Sequence, residues 1–376
     1  MRVAIATSGR FHVLDLAREL AALGHDVKLY SILPDSRAEM FGFARHNHRS
    51  LLPYVAPLIA WQRYVPRLWP QTHNWAFRRA LDRVVTARLE PCDVFICMSG
   101  IFVTAIEAAK QRYGARVYVE RGSRHILSQA EILAAIPGAV APNEDVIARE
   151  LEGYRLADRI AVPSRHVADS FERDPAAHAK LFRNPYGTKL DMFPYSDNVS
   201  DISTLSLIFA GGWSLRKGCD VLEAAIRDTA DVCLHHVGRI ADLPFPSADA
   251  KFRHSDPVAQ PDLAKHYRAS RGFVHASREE GLSMVQAQAL ASGLPLICTD
   301  RTGGVDLGHT PALQDRITVV GHGSSTEIRD AIERLRGRLQ NGPNFSPLQQ
   351  VDLETLSWGA YAKRYSEELM AEMATS

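Results

Sequence analysis

No stretch of this 376-residue chain reaches the roughly 20 consecutive apolar residues that a membrane-spanning helix needs, which excludes an integral helical membrane protein. Net charge is nearly absent as well. With 44 Lys and Arg against 43 Asp and Glu, the balance of +1 offers no electrostatic footprint for a nucleic-acid partner. Cysteine is sparse: the five residues Cys92, Cys97, Cys219, Cys233 and Cys298 stand mostly in apolar runs, none at zinc-site or redox-pair spacing. Reduced thiols are expected, and no metal site is assigned. The opening Met1 to Thr7 is too short for a signal peptide's apolar region and passes directly into the polar Ser8-Gly9-Arg10, so a cytoplasmic location is expected.

What is present is enough apolar material, 46% of residues, for two domains of ordinary size. A strand over Arg2 to Thr7, the turn Ser8-Gly9-Arg10, a helix over His12 to Leu23 and a strand over Asp26 to Ile32 open the chain. Strands are predicted again at Asp93 to Met98 and Arg116 to Glu120, with a helix over Val103 to Gln111 between them. After the polar stretch Ser196 to Thr204 the pattern restarts: strand Leu205 to Ala210, turn Gly211-Gly212-Trp213, helix Cys219 to Arg227, strand Val232 to Val237. Each unit asks for a parallel sheet. The expected architecture is α/β, with two doubly wound, Rossmann-like domains at 1–195 and 196–355 and a terminal helical segment at 356–376. Ligands of such sheets gather at the carboxyl ends of the strands.

The densest signal is Arg278 to Pro295, where polar groups, a helix start and a helix stop follow in fixed order. Ser283 is placed as N-cap, Met284 to Ser292 as a short helix, Gly293 as the left-handed C-terminal residue, and Pro295 as the block to continuation. Glu280 precedes the helix and Gln288 follows two turns later, so both are expected to face one cleft while Val285 and Ala289 face the core. The free N–H groups of Ser283, Met284 and Val285 would point at an anion.

This stretch resembles the signature of retaining, family-4-type glycosyltransferases of the GT-B fold. Glu280, Gly281, Leu282, Ala289, Ala291, Gly293 and Pro295 match it, and Gln288 stands where the family has a second glutamate. His12 to Ala17 with Gly24 to Val27, Ala157 to Ser164, and Asn184 to Phe193 resemble further family segments in the family's order. The resemblance implies a nucleoside-diphosphate-sugar donor as substrate, no cofactor, and a terminal helix from Ser357 to Ala371 that crosses back onto the first domain. It assigns Lys217 to the donor diphosphate, with Arg216 supplying the charge of a family arginine whose place Gly212 takes. Gly9, Gly211 and Gly212 join the donor-binding set, Gln288 the ribose, and Glu280 the sugar hydroxyls. Arg121 stands where the family has a sugar-contacting histidine, and His125 is the substitute. Glu120 and Arg121 are read either as acceptor or sugar contacts or as an internal ion pair closing their loop.

Residues 45–88 interleave Trp61, Trp69 and Tyr54 with Arg49, Arg63, Arg67, Arg78, Arg79 and Arg83 and are almost free of acid. Two readings follow: a peripheral contact with an anionic membrane, where a lipid-linked acceptor would be met, or a core helix pair with a basic outer face. The function expected is transfer of a sugar to a glycan, lipid-linked or small-molecule acceptor, in cell-surface polysaccharide or glycan assembly. A nucleotide-sugar epimerase, a phosphorylase and a non-catalytic nucleotide-sugar-binding scaffold remain as alternatives.

Overall fold

The structure, a computed structural model, describes residues 1–64, 70–196, 204–341 and 345–374. Val65 to Trp69 and most of the polar stretch between the two expected domains lie outside the described residues.

Two wholly parallel sheets organise the chain. The first holds β1 (Arg2–Ala6), β2 (Asp26–Ser31), β3 (His48–Ser50), β4 (Val94–Met98), β5 (Arg116–Glu120), β6 (Arg159–Val162) and β7 (Leu181–Arg183), in the order β3-β2-β1-β4-β5-β6-β7. The second holds β8 (Leu205–Ala210), β9 (Val232–Val237), β10 (Phe252–Ser255), β11 (Gly272–His275), β12 (Leu296–Thr299) and β13 (Ile317–Val320), in the order β10-β9-β8-β11-β12-β13. Helices cover both faces, so central strands such as β4 (Val-Phe-Ile-Cys-Met) are continuously apolar rather than alternating. The chain order reverses between β1 and β4 in the first sheet and between β8 and β11 in the second. At such switch points the loops leaving adjacent strands diverge and open a crevice. The loops that follow β8 and β11 carry Lys217 and Glu280 respectively.

The helix Met284–Ala291 closes at Gly293, whose φ of +90° is the left-handed conformation expected of it. Ser283 occupies the N-cap position with extended backbone, as expected, but its side chain makes no capping hydrogen bond. Among the described residues the amides of Ser283, Met284 and Val285 have no hydrogen-bond acceptor, as the first turn of a helix leaves them.

The terminal helix Trp358–Ala374 lies against His12–Ala22 of the first domain. Trp358, Tyr361, Tyr365 and Leu369 share one core cluster with Leu16 and Leu20. Polar ties fix the docking: His25 Nε2 meets Ser366 Oγ at 2.8 Å, Asn184 Nδ2 donates to the Tyr361 carbonyl at 3.1 Å, and Arg159 pairs with Glu368 at 3.2 Å and with Glu372.

Within residues 45–88 two helices, Leu52–Tyr64 and Pro70–Arg88, pack on each other, and Leu51, Val55, Leu81 and Val85 are buried. Arg49 pairs with Glu90, Arg79 with Asp145 at 3.4 Å, and the Arg88 guanidinium donates to the Tyr54 hydroxyl at 2.7 Å. Their packing is that of a helix pair on the core, with Arg83 and Arg88 exposed. Among the described residues no helix is long and apolar enough to cross a membrane.

Because Trp358 fills the seam where the last helix rejoins the first domain, Trp358→Ala is expected to lower the unfolding free energy by about 3 kcal/mol or more in a denaturant titration. A loss under about 1 kcal/mol would show that the helix is not docked in solution.

Candidate functional site

Two loops of the second domain meet at its switch point, and the joint between them is ionic. The Arg278 guanidinium donates to both carboxylate oxygens of Asp220, at 2.6 and 2.7 Å, and to the Leu215 carbonyl at 2.6 Å. Its backbone N–H reaches the Arg216 carbonyl at 3.0 Å. This stitching brings Lys217 Nζ into an ion pair with Glu280 Oε2. Arg216, about one-third exposed, donates to the Glu279 carbonyl at 2.9 Å and lies 3.5 Å from carboxylate oxygens of both Glu279 and Glu280. Burial, then the neighbouring Arg216 guanidinium, pulls the Lys217 pKa down, and Glu279 opposes them. The direct contact with the Glu280 carboxylate favours the charged ammonium.

Glu279, which sequence reasoning passed over, is the most constrained group here. Its side chain is fully buried. It crosses to the first domain, where the Ser123 hydroxyl and, at 3.4 Å, the Gln129 amide donate to it. Burial raises its pKa, but the Ser123 hydrogen bond and the Arg216 and Arg121 charges outweigh that, and the net shift is downward. The available signal was the charged pair Glu279-Glu280 inside an apolar motif, of which only the second was weighed.

Domain contact continues through backbone. His166 Nε2 donates to the Glu280 carbonyl at 2.6 Å, Ser164 Oγ donates to the Gly281 carbonyl at 3.0 Å, and Arg183 pairs with Asp306 at 2.9 Å. Gly281 passes so close to the first domain that a Cβ there would lie 1.8 Å from the Gly122 carbonyl oxygen. Only glycine allows this approach.

The other expected site residues fall into two groups. Gly211 and Gly212 lead from β8 towards Lys217, and a Cβ on Gly212 would lie 4.0 Å from the Arg239 carbonyl oxygen, an ordinary contact. Gly9 follows β1 at the first domain's switch point, with its N–H 3.4 Å from Thr7 Oγ1. Gln288 is buried, its Oε1 3.4 Å from the Tyr267 hydroxyl, while among the described residues its Nε2 makes no hydrogen bond. Met284 is exposed, Val285 is partly buried and Ala289 is in the core.

The first-domain set is turned inward. Arg121 is buried and spends its guanidinium on Glu150 at 3.0 Å, Gln129 at 2.8 Å and the Arg124 carbonyl. Glu120 is buried against His12 at 2.8 Å, beneath Tyr186 and Tyr361. Of the two readings for Glu120 and Arg121, the structure displays internal partners, though not each other: Arg121 pairs with Glu150, and Glu120 hydrogen-bonds with His12. His125 caps the helix Ile126–Ala134 through Nδ1 and packs edge-on against Phe171, fully buried, so it does not replace a cleft-facing histidine. The loop after β5 needs these side chains for its own closure.

Burial, with Asp174 in partial opposition, pushes the His125 pKa from 6.5 down to about 4; burial reinforced by Arg124 does the same to His166. Both are neutral in the folded protein at pH 7 and bind protons more readily when unfolded. Stability is therefore expected to be intact above pH 6.5 and to fall as pH drops towards 4, measured as melting temperature against pH. Replacing both histidines with glutamine should flatten that slope, and an unchanged slope would assign it elsewhere. Gly281→Ala is expected to lower the melting temperature by several degrees and to expand the molecule in small-angle scattering; no change in either would show that the close approach is not kept in solution.

Comparison with known proteins places these loops. Residues 204–338 match the family model described as glycosyl transferases group 1. No protein of curated function matches the sequence significantly. Among solved structures, sucrose-phosphate synthase from Thermosynechococcus elongatus is similar over 100% of both chains, at 15% identity and a TM-score of 0.72. HepE from Anabaena, solved in complex with UDP-glucose, is similar over 99% of this chain and 100% of its own, at 13% identity and a TM-score of 0.65. The lipopolysaccharide outer core galactosyltransferase WaaB is similar over 99% of this chain and 100% of its own, at 12% identity and a TM-score of 0.63. The match to glycosyl transferases group 1 thus lies within the second domain, and both sheets share the arrangement of these solved structures, so the chain has the GT-B fold.

Proposed function

We propose that the chain is a metal-independent, retaining glycosyltransferase that moves a sugar from a nucleoside-diphosphate donor to a glycan, lipid-linked or small-molecule acceptor. The observation that carries this is the pairing of Lys217 and Arg216 with Glu280 at the switch point of the second sheet, a few residues ahead of the free amides of Ser283 to Val285. A departing nucleoside diphosphate gains negative charge as the glycosidic bond breaks, and fixed cations with oriented N–H groups stabilise that charge without reorganising. In this reading the second domain, 196–355, holds the donor and the first, 1–195, receives the acceptor. The diphosphate takes Lys217 away from Glu280, freeing that carboxylate to accept from the donor sugar's hydroxyls. Gly9, Gly211 and Gly212 let backbone approach the phosphates. Gln288 presents its free Nε2 to the ribose, donating where a glutamate would accept.

Retention by front-face attack, with the leaving phosphate taking the acceptor's proton, requires no dedicated protein base and is what the family resemblance supports. The complex of HepE with UDP-glucose favours a uridine donor, and WaaB favours a cell-surface glycan as product, assembled in the cytoplasm at the inner face of the membrane. A donor panel screened by thermal shift identifies the nucleotide sugar, since a ligand that binds the folded state raises its melting temperature by mass action. With that donor and an acceptor supplied, Lys217→Ala is expected to cut turnover by about two orders of magnitude. Near-normal turnover removes Lys217 from the site; binding without any turnover by the wild type favours a scaffold.

A further inference from the structure

The first domain contains a cavity of about 630 Å³ that none of the donor-site residues explains. It lies between the helices Pro70–Arg88, Ile126–Ala134 and Glu144–Leu156 and the loop before the last of these. Its walls are largely apolar, built from Trp75, Ile126, Leu133 and Pro142. Four charged side chains line it: Arg78, Arg121, Asp145 and Glu150. Three are neutralised within the protein, since Arg121 pairs with Glu150 at 3.0 Å and Asp145 with Arg79 at 3.4 Å. The nearby Arg149 is paired with Asp82 at 2.9 Å. Arg78 alone, partly buried in the wall, has no hydrogen bond or ion pair among the described residues. Burial lowers its pKa and Glu150 and Asp145 oppose that, but a guanidinium stays protonated, so the cavity keeps one cation whose desolvation is uncompensated.

The cavity also communicates with the donor side. Gln129 forms part of its wall and donates through Nε2 to Glu279 at 3.4 Å, one residue from the carboxylate that holds Lys217. Trp75 is substantially exposed there; Arg79 covers one face of its indole at 4.6 Å, leaving the ring as a platform of the kind on which the apolar face of a pyranose stacks.

We infer that this cavity is the acceptor site and that it takes an anionic saccharide, a sugar bearing a carboxylate or a phosphate, whose charge is read by Arg78. The inference rests on the glycosyltransferase reading for the word acceptor, but binding of the anion does not require turnover. A bidentate guanidinium–carboxylate or guanidinium–phosphate contact supplies the charge the cavity lacks, and the apolar wall with Trp75 supplies the surface for the ring. The volume falls in the range of small-molecule sites, about 300–1,000 Å³.

The test is calorimetry of the full chain, with saturating nucleoside diphosphate, against four probes: a hexuronic acid, a hexose phosphate, the neutral hexose and inorganic phosphate. One charged saccharide is expected to bind at least about tenfold more tightly than the neutral hexose and than inorganic phosphate, and which of the two does so identifies the anion. Arg78→Ala should weaken that binding by about tenfold or more and Arg78→Lys by less, while nucleoside-diphosphate affinity is unchanged in both. Val140→Glu, at an exposed position on the rim, leaves the core untouched and should weaken the same binding by charge repulsion, relieved by salt. Equal binding of neutral and charged saccharides, inorganic phosphate binding as tightly as either, or an Arg78→Ala protein that binds the charged saccharide normally would each overturn the inference. If nucleoside diphosphate fails to bind while the charged saccharide still depends on Arg78, the donor reading fails and the anion site stands.

Discussion

Burying Glu279 is the constraint on which the rest of the site depends. A carboxylate with no exposed surface must have its charge met by donors on every side, and this one takes them from both domains: Arg216 from its own, Ser123 and Gln129 from the other. The closed relation of the two domains is thereby specified by hydrogen bonds and charge as well as by packing. Removing one partner of such a buried pair typically costs about 3–5 kcal/mol, because the remaining charge is left without compensation. Gly281, two residues on, converts the ionic contact into a backbone-to-backbone approach that no side chain could share.

The same arrangement determines the electrostatic state in which a donor would find the cleft. Lys217 is neutralised by Glu280, and Arg216 is divided between two carboxylates. Under the proposed function, an incoming diphosphate would have to displace Glu280 from the lysine. It carries more charge than one carboxylate and has several oxygens to share between lysine, arginine and amides, so the exchange is favourable for a diphosphate and poor for a monovalent anion. Under the proposed function, selectivity for a pyrophosphate group would follow from a site that is already paired.

Much of this was legible along the chain. The two strand–helix–strand openings, the short helix after Glu280 and its stop at Gly293 follow from apolar runs, turn residues and proline, which act locally. Lys217 and Glu280 were singled out because their stretches resemble the family's segments, and the structure sets their loops after adjacent strands at a switch point. Partners far apart in sequence were not legible. Glu120 with His12 is a contact across 108 positions, and Ser123 with Glu279 one across 156. Periodicity says nothing about which of several buried polar groups will meet. For the same reason His125 was offered as a substitute sugar contact when the loop after β5 turns it into the core. The short edge strands β3 and β7 and the internal strand β6 escaped notice because three or four residues carry too little pattern.

The most direct measurement is a crystal structure of the protein with a nucleoside diphosphate bound. Lys217 Nζ should have left Glu280 for a phosphate oxygen at about 2.8 Å, with the amides of Ser283 to Val285 turned on the same group. A diphosphate bound elsewhere, with Lys217 still paired to Glu280, would contradict the assignment of this cleft to the donor.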